Sequence, residues 1–239
     1  PPPEPRKAHP LTGKAGGWIA AVKSYFKESF SNPYYIAVFV MMMTAGLSFG
    51  PVNIFSIPYA RSLNIDMKVY GHYIALTYVI SLTLSFFLGW LADKFHPLRM
   101  AIFTLVGYIV VTTWGSFYAR TPDTFLLALV LHGVLSGCYF TGAATLGQRL
   151  FPHSKFAQFG SAAGILSASG GMILGPAVGQ VIDVSGKVYR LTFSIAAGIT
   201  VTALIAAIFV YWRFMKLGGD EHYVAPGEGE PGFNPGAGK

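Results

Sequence analysis

The chain has 239 residues, of which 53% are hydrophobic and 11% charged, and a net charge of +7. Soluble domains carry about 25% charged residues, so a water-facing globule is excluded and the composition is that of an integral membrane protein. Lys and Arg sit at the ends of apolar runs rather than on one polar face, which makes the net charge a topology signal and implies no nucleic-acid partner.

Residues 1–17 are rich in Pro, Gly and basic residues, the composition of a linker that cannot bury enough apolar surface to order itself. The opening Pro1-Pro2-Pro3 is followed by no signal-peptide pattern and reads as the start of a segment of something longer. From Trp18 the pattern changes. Trp18, Ile19, Val22, Tyr25, Phe26 and Phe30 recur at spacings of three and four, with Lys23, Ser24, Lys27 and Glu28 on the other side. That predicts an amphipathic helix lying on the membrane surface, its lysines toward anionic lipid headgroups; a helix packed on a soluble partner domain is the alternative. Asn32 and Pro33 then supply the cap and the first-turn proline of the next helix.

Six charge-free runs follow, near residues 34–60, 69–92, 100–119, 124–148, 156–182 and 191–212. Each reaches the roughly 20 residues a helix needs to cross the hydrocarbon core, and none alternates with period two, which excludes a β-barrel. With a cytoplasmic N-terminus, the inside segments carry twelve Lys and Arg and the outside loops five, so both termini are expected in the cytoplasm, in a bacterial inner (plasma) membrane. The first run contains Gly46, Gly50-Pro51 and Pro58, so its hydrogen-bond ladder must loosen midway, and Asn53 can use the freed backbone groups or a ligand. A discontinuous helix of that kind builds a substrate site; a plain proline kink held by packing is the other reading of Pro51.

Between the second and third runs lies the charged strip Gly89-Trp90-Leu91-Ala92-Asp93-Lys94-Phe95-His96-Pro97-Leu98-Arg99, a tight turn at the membrane surface. Gly89 lets packed helices approach closely, and an Asp paired with Arg or Lys at such a turn can hold two helix ends together in one conformation and release them in another. Gly-x-Leu-Ala-Asp-Lys resembles the cytoplasmic loop signature of the major facilitator superfamily, matched here by Gly89, Leu91, Ala92, Asp93 and Lys94, with His96 where a second glycine is usual. The resemblance implies a gating loop of Gly89, Asp93, Lys94 and Arg99.

In the fourth run Gly133-x-x-x-Gly137 forms a close-contact face, and the single Cys138 reads as a small packing residue with no intrachain disulfide partner. In the fifth, Gly175-Pro176-Ala177-Val178-Gly179 resembles a motif of the superfamily's drug antiporters, which implies a helix bend at Gly175, Pro176 and Gly179 and nothing about antiport. Residues 217–239, with Gly218-Gly219, prolines and acidic groups, read as a disordered cytoplasmic tail. The expected organisation is therefore a cytoplasmic linker and surface helix over 1–33, a six-helix bundle over 34–216 and the tail. The fold class is all-α integral membrane, six transmembrane helices resembling the C-terminal half of a twelve-helix facilitator.

In that superfamily two halves enclose the solute at mid-bilayer, so the resemblance implies a partner, either an N-terminal six-helix half or a second subunit, besides membrane lipids. It also places the first, second, fourth and fifth helices on the cavity. Candidate substrate-binding residues on them are Asn53, Tyr73, Thr77, Tyr78, His132, Ser136 and Tyr139, with Thr141, Ser161 and Ser167 beside them. These neutral hydrogen-bonding and aromatic groups suit a small polar, uncharged solute such as a sugar, glycoside or nucleoside, although a Ser or Thr in a helix commonly bonds its own backbone. No catalytic set, metal site or cofactor is expected, because His72 and His132 have no Asp, Glu or His at ligand spacing. The leading function is a secondary transporter. The other class is a facilitator-like scaffold or accessory subunit without transport, whose inward face would be filled by apolar contacts or lipid.

Overall fold

Caps and prolines set where the helices begin. Asn32 Oδ1 accepts from the Tyr34 amide at 2.9 Å ahead of Pro33, Asp66 Oδ1 accepts from the Lys68 amide at 2.6 Å, and Thr121 and Thr124 close a reciprocal capping box ahead of Pro122. The resulting computed structural model describes residues 16–227. Its helices are α1 (Gly16–Phe30), α2 (Pro33–Ser48), α3 (Gly50–Ser62), α4 (Met67–Phe95), α5 (Pro97–Tyr118), α6 (Pro122–Gly142), α7 (Leu146–Leu150), α8 (Phe156–Val184), α9 (Leu191–Lys216) and α10 (Gly219–His222), with no strand among the described residues.

Among the described residues six segments are long and apolar enough to cross a membrane: α2 with α3, α4, α5, α6 with α7, α8 with its preceding 3₁₀ turn, and α9. The first span is interrupted only at Phe49, between α2 and α3, which keeps a right-handed helical conformation with φ −80° and ψ −20°, and α3 runs on through Pro58. α8 likewise runs on through Pro176, which costs the Met172 carbonyl its helix donor without ending the helix.

The core is bound at each end by an aromatic cluster. At one end Tyr35 stacks on Phe159 at 4.5 Å while Phe39 meets Phe151 at 5.7 Å. At the other, Tyr59 lies 4.4 Å from Phe125 and stacks on Tyr189, and its hydroxyl donates to the Ala119 carbonyl. Between them α9 packs on α2 and α5, and α6 on α4 and α5. Gly115 lets the Phe193 ring of α9 come within 2.8 Å of where a β-carbon would stand. The sequence placed a close-contact face at Gly133 and Gly137, and there α4 crosses α6: a β-carbon at Gly133 would sit 2.4 Å from Thr77 Cγ2, and one at Gly137 3.0 Å from Ser81 Oγ.

α1 begins at Gly16, and residues 1–15 of the expected linker lie outside the described residues. The helix docks against the start of α8. Tyr25 OH is 2.6 Å from Ser161 Oγ, Gln158 donates to Ser29, and Lys155 pairs with Glu28 at 3.1 Å, a hydrogen bond that holds the Glu28 carboxyl below its ordinary range. Trp18, Ile19, Val22 and Phe26 remain exposed.

The tail departs from expectation. Residues 217–227 fold back onto the bundle end that also carries the α4–α5 turn. Tyr223 OH donates to the Leu150 carbonyl at 2.8 Å, Tyr35 OH to the Pro226 carbonyl at 2.7 Å, and Ala225 is buried. Composition misled because the glycines here make a specific turn rather than slack chain. Gly218 has φ +112°, and a β-carbon on it would lie 2.2 Å from the His222 carbonyl oxygen. Residues 228–239 of the expected tail lie outside the described residues.

Candidate functional site

Where α3, α4 and α6 meet, within the spans, lies a cavity of about 530 Å³. Ser56, Tyr70, Thr77, Ser81, His132 and Ser136 line it together with Asn53, and Tyr78 and Phe140 stand exposed on it. Among the described residues no charged side chain lines it. Of the sequence candidates, the fold brings Asn53, Thr77, Tyr78, His132 and Ser136 together here. Tyr73 instead packs against the core, and Tyr139 is buried 5.5 Å from Phe49. Ser161 belongs to the α1 dock through Tyr25.

The hydroxyls are largely committed to their own helices. Thr77 Oγ1 donates to the Tyr73 carbonyl at 2.8 Å, Ser136 Oγ to Gly133 at 2.9 Å and Ser56 Oγ to Asn53 at 3.0 Å, while Tyr70 OH donates to Ser56 Oγ at 2.9 Å. Besides that α4–α3 bond, His132 reaches across to two other helices. Its Nε2 lies 2.9 Å from Asn53 Oδ1 on α3 and its Nδ1 2.7 Å from Tyr108 OH on α5. Ser56, Tyr70, Ser81, Tyr108 and Phe140 escaped selection by residue type. A face-by-face reading finds two of them, Tyr70 and Ser81: Tyr70, Ile74, Thr77 and Ser81 fall at steps of four, three and four on one stripe of α4, which leaves Tyr73 off it. Tyr108 carries no such signal, because it reaches the site only through His132.

At the bundle end, His96 turns the chain between α4 and α5 with φ +72°, a conformation that favours glycine. Its compensation is side-chain bonding. Nδ1 accepts from the Leu98 amide at 3.2 Å and the ring lies 4.5 Å from Phe214. Burial, with help from Arg149 and Arg99 against the opposing pull of Asp220, holds the imidazole below its ordinary value, so Nδ1 is kept bare for that bond. The ion pair of the expected gating loop is also different. Arg99 pairs with Asp220 at 2.7 Å, its Nε donates to Tyr211 OH at 3.0 Å, and Asp93 is exposed while Lys94 lies 5.1 Å over the Trp90 ring. The folded-back tail supplies a carboxylate that sequence order could not have paired with Arg99. Among the described residues a β-carbon at Gly89 would meet nothing within 4 Å, so its close contact is not made within the described six-helix unit. The same holds at Gly175, while one at Gly179 would lie 3.7 Å from Phe55; the tight approach of α8 falls at Gly170, 2.6 Å from Leu47.

A second cavity, of about 400 Å³, sits at the bundle end between α1, α2 and α8, beside the Glu28–Lys155 pair. It lies at the ends of the spanning segments beside charged groups, whereas the cavity among α3, α4 and α6 lies between the spans, and that cavity is the candidate site. Comparison with known families matches residues 34–228 to the Major Facilitator Superfamily. No curated protein and no solved structure matches the chain. With six segments among the described residues long and apolar enough to span a membrane, a cavity of mixed polar and apolar lining among them and a family match over residues 34–228, this chain belongs to the major facilitator superfamily of membrane transporters.

Proposed function

We propose that this six-helix unit is one half of a secondary transporter that moves a small polar solute, of the sugar, glycoside or nucleoside kind, by alternating access. The observation that carries the reading is the cavity itself, which has no charged lining among the described residues and sets amide, imidazole, hydroxyl and phenol groups among apolar side chains such as Ile57, Ile74 and Leu129. A scaffold would have that face filled with apolar contacts. The partner is a second six-helix bundle, an N-terminal half or another subunit. Supporting this, the apolar stretches of α4 and α8 are only 6% and 11% buried, against 33–50% for the other four spans. Both helices have apolar faces left for another bundle or lipid.

The orientation we infer has both termini in the cytoplasm of a bacterial inner membrane. Lys94, Arg99, Arg149, Lys155, Arg213 and Lys216 all fall at the bundle end where the described termini lie, as the rule for cytoplasmic positive charge expects. α1 then lies in the headgroup layer, held by α8, with Trp18, Ile19, Val22 and Phe26 toward the acyl chains.

The test is uptake by cells expressing the full-length gene against a panel of sugars, glycosides and nucleosides. Asn53→Ala should cut the initial rate of the transported solute about tenfold or more, with surface expression retained. Uptake unchanged by Asn53→Ala would refute the site. Absence of saturable uptake for every solute would favour the scaffold.

A further inference from the structure

Tyr108 and His132 are each 1% exposed, so their polar atoms must be satisfied by the protein. Three elements supply the partners. Tyr108 OH stands 2.7 Å from His132 Nδ1 and 3.4 Å from the Ser48 carbonyl, and His132 Nε2 stands 2.9 Å from Asn53 Oδ1. A carboxamide oxygen only accepts, so Nε2 carries a proton and donates to it. In a neutral imidazole that leaves Nδ1 bare, and the tyrosine hydroxyl gives its one proton to Nδ1 at 2.7 Å rather than to the Ser48 carbonyl at 3.4 Å. Donation therefore runs one way, from Tyr108 to His132 to Asn53. The amide oxygen is consumed inside the protein. Asn53 itself is exposed on the cavity, where it is left with two N–H donors.

The geometry points to Asn53 as a donor-only subsite that takes an uncharged acceptor oxygen of the solute, a hydroxyl, ring or carbonyl oxygen, with Tyr108 and His132 as the positioning residues that fix its polarity. This rests on the reading that the cavity holds solute. The opposite pole is complementary. Thr77 and Ser136 already donate to their own helix carbonyls, so toward the cavity they offer lone pairs. A solute is gripped by its acceptor oxygen at Asn53 and by its O–H groups along α4 and α6. A cation without acceptor atoms has nothing to bind at Asn53.

The experiment uses the full chain in lipid nanodiscs with ¹⁵N-labelled histidine, the His132 signals being assigned by their loss in His132→Gln. The expected spectrum at neutral pH has a pyridine-like, hydrogen-bonded Nδ1 and a pyrrole-like Nε2. In Tyr108→Phe, which keeps the ring packed 4.7 Å from Phe49, the Nδ1 signal should move to the position of an unbonded ring nitrogen. The opposite tautomer, both nitrogens protonated, or no response to Tyr108→Phe would overturn the relay. The ligand class is probed separately. Methyl glucoside should shift the Asn53 side-chain NH₂ resonances, tetramethylammonium should not, and glucoside affinity should fall about fivefold in Tyr108→Phe, the size of one neutral hydrogen bond. No shift with glucoside, or a shift with the cation, overturns the acceptor-oxygen assignment. Transport failure leaves the tautomer result standing, and robust uptake with the wrong tautomer sinks this inference alone.

Discussion

Gly133→Leu should remove both the fold of the α4–α6 crossing and all uptake, and Gly133→Ala should destabilise the solubilised protein by about 2 kcal/mol, the scale of an overpacked core. Helix propensity runs the other way, since Ala is favoured over Gly by up to about 1 kcal/mol in a helix interior. Sterics win here because the added β-carbon would stand 2.4 Å from Thr77 Cγ2. Thr77 cannot easily turn away, being β-branched and tied to the Tyr73 carbonyl at 2.8 Å. The check is a double-mutant cycle by thermal unfolding. Thr77 Cβ would lie 3.6 Å from the new carbon, an ordinary contact, so Thr77→Ala should restore most of what Gly133→Ala loses. Additive losses, or a stabilised Gly133→Ala, would show that the helices are not in contact there.

The second large effect is expected at the bundle end that carries the α5–α6 turn. Tyr59→Ala should cost about 4 kcal/mol, in the range of buried aromatic truncations. Its ring fills the space between Phe125, Tyr189 and Phe193, and its hydroxyl donates to the Ala119 carbonyl, so one residue of α3 ties down the α5–α6 turn and the start of α9. Tyr59→Phe keeps the ring and should cost only about 1 kcal/mol, the net worth of one hydrogen bond. Thermal melts of the two variants should therefore separate clearly. Equal losses would mean that the hydroxyl, rather than ring packing, carries the stabilisation.

Much of this architecture could be read from residue patterns, and the reasons differ by element. Charge-free runs mark the spans because burying a charge in hydrocarbon is costly whatever the neighbours. The break after Ser48 follows from Gly50-Pro51 because proline has no amide proton to continue the ladder. Gly133 and Gly137 announce a close crossing because only small residues let backbones approach. What stayed hidden depends on partners far along the chain. Arg99 finds Asp220, and the Arg99–Asp93 alternative looks equally good in one dimension. Tyr139 has the chemistry of a ligand group and the position of a core residue. Tyr73 is a residue of the right type on the wrong stripe of α4. Asn53 and His132 were both expected on the cavity, but the bond between them, and Tyr108 behind it, required three helices to be placed.

The central claim is that the cavity among α3, α4 and α6 is the solute path of an alternating-access carrier, and labelling of Ser136→Cys tests it most directly. In a Cys138→Ser background of the full-length protein, a membrane-impermeant thiol reagent should reach Cys introduced at this position from either side of the membrane, and the transported solute should protect it. Labelling from neither side, or labelling that the solute leaves unchanged, would contradict the account.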